Sequence, residues 1–153
     1  MKTGLVLEGG GMRGLYTVGV LDWFMDQQFL PDYVIGVSAG ADNAISYISG
    51  QKGRGYRVTM DYLGDKRYIS LSNFIRTKSV FGMDFVFDEV PKSLDPFDYP
   101  AFLSAPCEFV AGVIQFAAVP PAEEIIAAAI CIRQSDSCIL FHFYFILITA
   151  VII

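Results

Sequence analysis

Charge is scarce in this sequence, and what there is leans acidic. Only 18% of the 153 residues are charged, and 11 lysines and arginines face 16 aspartates and glutamates, for a formal net charge of −5. That balance excludes a long-range field able to gather phosphates, so no nucleic-acid partner is expected. Cysteine is scarce too. Cys107, Cys131 and Cys138 are odd in number and form no C-x-x-C pair, which fits neither a zinc ribbon nor a disulfide framework; no metal site is expected. No Gly-Lys-Ser/Thr follows any glycine run, so the lysine and magnesium ligand of a phosphate-binding P-loop are missing. The start, Met1 to Glu8, meets a charge and then three glycines before an apolar signal core can form, which predicts a cytoplasmic chain without a signal peptide. What abounds is apolar surface: 54% of the residues are hydrophobic and the mean hydropathy is +0.46. Disorder is excluded as a global description, and the length suits a single core.

Composition changes near residue 115. Arg133 is the sole basic residue beyond 106, and the chain ends in a charge-free run over 138–153. The expected organisation is a folded portion over residues 1–115 and a divergent apolar segment over 116–153. Within the first, Gly4 to Glu8 is a short apolar run bounded by glycines, read as a strand buried on both faces. Leu15, Val18, Leu21, Phe24 and Met25 follow at helical spacing. Tyr33 to Val37 is a second β-branched run, and Ala41, Ala44, Ile45 and Ile48 form another helical stripe, closed by Gly50. A third strand is expected from Glu108 to Gly112. This order predicts an α/β fold: a parallel sheet with helices on both faces, three layers deep, and ligands at the carboxyl ends of its strands.

Two loops fall at those ends. Gly9-x-Gly11-x-x-Gly14 satisfies the dinucleotide fingerprint letter for letter, but the acidic residue that should end the second strand is absent, since Asp32 precedes it. No nucleotide cofactor is expected. The second loop, Gly36-Val37-Ser38-Ala39-Gly40, is a G-x-S-x-G sequence between strand and helix, the setting of a nucleophile elbow. Gly36 and Gly40 would lack side chains where strand and helix come close, holding the Ser38 hydroxyl out at a helix N-terminus. A neighbouring run of three glycines offers N–H donors for an oxyanion with no Cβ in the way.

Leu5-Val-Leu-Glu-Gly-Gly-Gly-Met-Arg-Gly14 followed by Tyr33-Val-Ile-Gly-Val-Ser-Ala-Gly40 resembles the patatin-like phospholipases, in particular their bacterial members. The resemblance implies a serine lipid acyl hydrolase with a Ser-Asp dyad, acting without a cofactor on lipid or acyl-ester substrates. Position by position it makes Ser38 the nucleophile, Gly9, Gly10 and Gly11 the donors of an oxyanion hole, Arg13 the basic residue of that loop and Gly14 its last glycine. The likeness stops near Val113. The family's second catalytic residue is the aspartate of a D-G-G/A motif beyond the third strand, and the sequence contains no Asp-Gly pair. Asp136 and His142 are weak substitutes on context, and Asp42, one helical turn after Ser38, can approach it only along the helix flank. The dyad is read as incomplete, with a catalytically silent lipid- or membrane-binding fragment as the alternative function.

Between the elbow and the third strand, Lys52, Arg54 and Arg57 read as a solvated basic face. Phe74, Val80, Phe81, Met83, Phe85, Val86 and Phe87 read first as core and second as the lining of an acyl pocket, and the whole stretch as a cap over the site. Asp98 is placed as the N-cap of a short turn of helix. The apolar tail leaves three readings: a scrambled C-terminus, a membrane segment giving peripheral membrane contact, or a buried strand. The sequence does not fix an oligomeric state.

Overall fold

The computed structural model describes residues 2–115 and 128–133. Three parallel strands, β1 (Gly4–Leu7), β2 (Tyr33–Val37) and β3 (Glu108–Gln115), lie in that order, and β4 (Ala128–Arg133) pairs antiparallel with β3 at the edge. Leu7, Gly36 and Ala111 stand in register across the parallel strands. Helix α1 (Gly14–Asp26) joins β1 to β2, and α2 (Ala39–Ile48) leaves β2 directly. The long connection to β3 holds α3 (Arg54–Met60), α4 (Leu71–Thr77), a π-helical stretch over Phe85–Leu94 and α5 (Tyr99–Ser104). The expected α/β architecture, a parallel sheet with helices packed on it, is therefore present.

Local signals in the sequence set the helix ends. Gly50 takes a φ of 69° just past α2, the left-handed conformation that stops a helix. Asp98 caps α5 by accepting from Ala101 N at 2.9 Å, and Ser70 caps α4 by accepting from Asn73 N at 3.1 Å. Asp32 accepts from Thr3 N at 2.6 Å. It ties the amino ends of β1 and β2 together, at the opposite end of the sheet from any ribose.

The core lies on one face of the sheet. Leu7, Val34, Phe109 and Ala111 are buried there against Leu21 of α1, Ala44, Tyr47 and Ile48 of α2, and Phe102 of α5. The other face is open: Val6 is 75% exposed, Ile35 39% and Val37 42%. The expectation that β1 is buried on both faces is thus corrected at Val6. The reason is topological. Right-handed crossovers in the strand order β1, β2, β3 carry both connections over the same face, so a layer on the other face must come from other parts of a chain. Among the described residues no helix supplies it.

A smaller apolar cluster of Tyr68, Phe85 and Val90, with Val58, Tyr62, Ile69, Phe81 and Val86 packed on it, stands beside the main core. Among the described residues no helix is long and apolar enough to cross a membrane.

Candidate active site

Ser38 occupies the N-cap of α2 with φ 53° and ψ −129°. A β-carbon is rarely tolerated at that φ, so the turn stores strain that the surrounding packing must hold. The two flanking glycines explain how. A Cβ on Gly40 would lie 2.4 Å from the carbonyl oxygen of Leu7 and 2.5 Å from that of Glu8, and one on Gly36 would lie 2.6 Å from Cα of Ala41. Helix α2 can thus press against the ends of β1 and β2 only because both positions lack a side chain. Ser38 is half-buried, and no hydrogen bond engages its hydroxyl among the described residues.

The glycine loop sits against this turn. A Cβ built on Gly9 would fall 3.1 Å from Cβ of Ser38 and 3.7 Å from its Oγ, so the loop and the serine share one edge of the sheet, as the motif spacing predicts. From Gly10 the chain enters a short 3₁₀ turn over Gly11–Arg13, where Arg13 N donates to Gly10 O at 3.1 Å. Gly14 is buried, and its carbonyl accepts from Asn43 Nδ2 at 3.1 Å, which pins the start of α1 to α2. Arg13 is exposed, its guanidinium folded back over Gly10. Here the arrangement offers backbone dipoles, not a fixed cationic side chain.

Ser38 opens on a cavity of about 210 Å³. Its near wall is formed by Gly11, Met12 and Gly14 of the loop and by Ala39, Ala41, Asp42, Ile45 and Ser46 of α2. Val58, Phe81, Met83, Val86, Phe87 and Phe102 supply an apolar far wall. The aromatic stretch is therefore divided. Phe85 is core, Phe81, Met83, Val86 and Phe87 face the cavity, and Phe74 and Val80 are exposed at 45% and 44%.

The basic stretch after α2 is a solvated face at Lys52 and Arg57, but not at Arg54. Arg54 is 5% exposed and donates from its terminal nitrogens to Ser46 Oγ at 3.3 Å and to the Asp95 carbonyl at 3.0 Å. The Asp95 carboxylate, itself buried, takes Arg57 Nε at 2.7 Å and Nη2 at 3.2 Å. Burial pushes the Arg54 guanidinium below its ordinary pKa, with Asp95 opposing. The hydrogen bond to Asp95 raises that of Arg57. Arg54 also lies over the Phe97 ring, 5.2 Å from its centroid. Lys52 pairs with Asp26 at the surface. These contacts join α3 to the chain just before α5 and fix the cavity's far side. The sequence signal that could have found them is an isolated Asp-Pro between apolar runs.

Asp42 is the other charged group at the cavity. Its side chain is exposed and opens on the cavity. Desolvation pushes its carboxyl up from 3.8 to about 6, with the Arg54 charge opposing. No hydrogen bond links it to Ser38. Asp136 and His142, the substitutes weighed for the missing dyad residue, lie outside the described residues. Among the described residues no group of three or more His, Cys, Asp or Glu side chains could hold a metal.

The sequence profile described as patatin-like phospholipase matches residues 5–120. Over 99 residues the chain is 36% identical to the uncharacterized protein YjjU of Escherichia coli strain K12, a match that covers 61% of this chain and 28% of that protein. The chain thus spans under a third of the relative it matches. No solved structure gives a significant match.

Proposed function

The chain belongs to the patatin-like phospholipase family, and from that premise we propose that Ser38 is the nucleophile of a carboxylic-ester acyl hydrolase acting on lipid substrates. One observation carries this reading: the strained turn at Ser38, with φ 53°, is packed against the Gly9 loop at the mouth of an apolar cavity. In the proposed reaction Ser38 Oγ attacks the ester carbonyl carbon, and its proton passes to a base. The carbonyl oxygen becomes an oxyanion facing the N–H groups of Gly9, Gly10 and Gly11. Such donors act strongly because they are already in place when the charge develops. The tetrahedral species then releases the alcohol, and water cleaves the acyl-serine. The acyl chain lies in the cavity, against Val58, Phe81, Val86 and Phe102. Arg13 supports the loop from the solvent side, and Gly14 keeps α1 close to α2.

The base is the weak point. The sequence lacks the family's Asp-Gly pair, and no carboxylate or imidazole engages Ser38 among the described residues. A serine without a base keeps the oxyanion hole and loses most of its turnover; in the subtilisin series the loss is about 10⁴–10⁶-fold. That same absence favours a second reading, a lipid-binding chain without turnover. A long-chain fluorophosphonate tests the first directly. Stoichiometric labelling that disappears in Ser38→Ala supports the nucleophile; no labelling of folded protein favours the silent reading. Turnover of a p-nitrophenyl ester by the unmodified chain is expected to be negligible. It should recover when a family C-terminal half carrying Asp-Gly-Gly is grafted after residue 112.

A further inference from the structure

A surface helix normally turns its apolar stripe to the core and its polar side to water. Helix α4 does the reverse. Its buried residue is Asn73, whose amide nitrogen donates to the carbonyls of Lys66 at 3.3 Å, Arg67 at 3.2 Å and Val80 at 3.4 Å. Leu71, Phe74 and Ile75 share the outward side at helical spacing and are left in solvent, Leu71 at 73% and Ile75 at 71% exposed. The helix is the tip of an excursion closed at its base. Ile69 bridges Phe81, Gly82 N donates to Tyr68 O at 2.9 Å, and a Cβ on Gly82 would fall 1.9 Å from Arg67 O. Tyr68 and Phe81, at that base, both line the cavity on which Ser38 opens. We propose that α4 is a docking surface for an anionic lipid bilayer, with Leu71, Phe74 and Ile75 at the headgroup boundary and Lys66, Arg76 and Lys78 on the lipid phosphates.

Charge selects this occupant. The chain carries a net −5, yet residues 66–83 hold Lys66, Arg67, Arg76 and Lys78 and no acidic residue. Arg67 is taken by Asp65 and Glu89, whereas Lys66, Arg76 and Lys78 are exposed and meet no carboxylate among the described residues. Cations beside exposed leucine, phenylalanine and isoleucine make up a helix that lies in a membrane interface without crossing it. Lys78 ends α4 one turn beyond Phe74, where its ammonium can reach a phosphate while its methylene stem stays with the apolar side chains. Two rival occupants fit less well. A second copy meeting this face about a two-fold axis would set the same three cations against one another. A protein partner of standard size covers about 800 Å² of each surface, and a seven-residue helix is only about 10 Å long. A bilayer sets no such minimum, because single side chains enter it. The purpose of the contact rests on the proposed lipid reading: the excursion springs from the cavity wall, so docking holds the bilayer beside the cavity that takes the acyl chain.

The test is flotation of the full chain with vesicles of phosphatidylcholine alone and of phosphatidylcholine mixed with phosphatidylglycerol. Wild type should bind the anionic vesicles more tightly than the neutral ones, and added salt should reduce the difference. Leu71→Ser with Ile75→Ser should weaken binding about ten-fold or more, and Arg76→Gln with Lys78→Gln roughly five-fold for each cation removed. All four side chains are exposed, so these variants should unfold at the wild-type temperature. Tyr16→Ser, which removes an aromatic 83% exposed on α1, should bind as wild type does. The apolar run over 138–153 is present in every protein compared and produces no difference among them. No binding to anionic vesicles, equal binding to neutral ones, binding that survives both double substitutions, or an equal loss in Tyr16→Ser overturns the proposal. So does a wild-type dimer that Leu71→Ser with Ile75→Ser dissolves, which assigns the face to a second copy. The two readings fail separately. A chain that labels at Ser38 without binding vesicles loses the docking surface alone, and vesicle binding without labelling removes the nucleophile alone.

Discussion

The two walls of the cavity are held by different forces. On the wall formed by β1, β2 and α2 the site is backbone: Ser38 is pinned at positive φ because Gly36 and Gly40 allow helix and strands to touch. On the wall formed by α3, the π-helical stretch and α5, geometry is fixed by side chains, with Arg54 and Arg57 converging on Asp95 across about 40 residues of sequence. Backbone constraints of the first kind leave a local signature, since only glycine satisfies them. Long-range ion pairs leave none, because an arginine destined for burial looks like any other arginine.

Breaking the side-chain wall should have the largest effect. Asp95→Ala leaves Arg54, 5% exposed, without its counter-charge. Removing one partner of a buried pair typically costs about 3–5 kcal/mol, most of it the uncompensated charge. Replacing both charges, as in Asp95→Asn with Arg54→Met, should cost clearly less than Asp95→Ala. Urea denaturation of the three proteins checks the order, and equal losses would mean that the pair matters only through packing.

The backbone wall should respond next. Gly40→Ala places a methyl 2.4 Å from the Leu7 carbonyl oxygen, where no flexible side chain can yield. A cost at the upper end of the ~1–3 kcal/mol usual for overpacking is expected, together with slower fluorophosphonate labelling as α2 is pushed off the strand ends. Gly19→Ala is the control, since a Cβ there meets nothing within 4 Å. Should Gly40→Ala behave like Gly19→Ala, the close approach of α2 to β1 is wrong.

The two walls also differ in legibility. The glycine loop, the serine turn, α1, α2 and the Asp98 cap could all be read from residues within about ten positions of one another. Two features could not. Arg54 read as a solvated basic residue, and its convergence with Arg57 on Asp95 went unread, because composition carries no information about which loop folds over which. Val6 read as buried, because a short apolar run looks the same at an open face as in a covered sheet; only strand order decides, and order is a property of the whole topology. The aromatic stretch from 74 to 87 was legible as apolar but not as divided among core, cavity and surface.

Asp42 sharpens the contrast with Asp95, since both carboxylates are near Arg54 and only one is paired. Its pKa is raised from 3.8 to about 6 by desolvation. Between those values the unfolded chain has released its proton and the folded chain has not, so stability falls as pH rises through this window, and the full penalty is present above about pH 6. Asp42→Asn should therefore be neutral near pH 4 and stabilising at pH 8. Because the carboxylate opens on the cavity, the gain is put at about 1–2 kcal/mol, below what the shift alone implies. Thermal unfolding of the two proteins at both pH values measures it, and a gain of equal size at pH 4 would show that charge is not the cause.

The smallest expected effect separates the two faces of β1. Leu7 is 6% exposed and Val6 75% exposed on the same four-residue strand. Leu7→Ala should cost about 2–5 kcal/mol, the usual range for truncating a buried leucine. Val6→Thr keeps the shape and the β-branching while adding one hydroxyl. On an open face that hydroxyl is hydrated, and the change should stay within about 0.5 kcal/mol. Under a covering layer it would be buried without a partner, at about 1–3 kcal/mol. Urea denaturation of Val6→Thr thus reports on whether the face bearing Val6, Ile35 and Val37 is open in the folded protein. A loss above about 1 kcal/mol would mean that residues beyond those described here cover it, and that the one-sided packing of the sheet is not its final state.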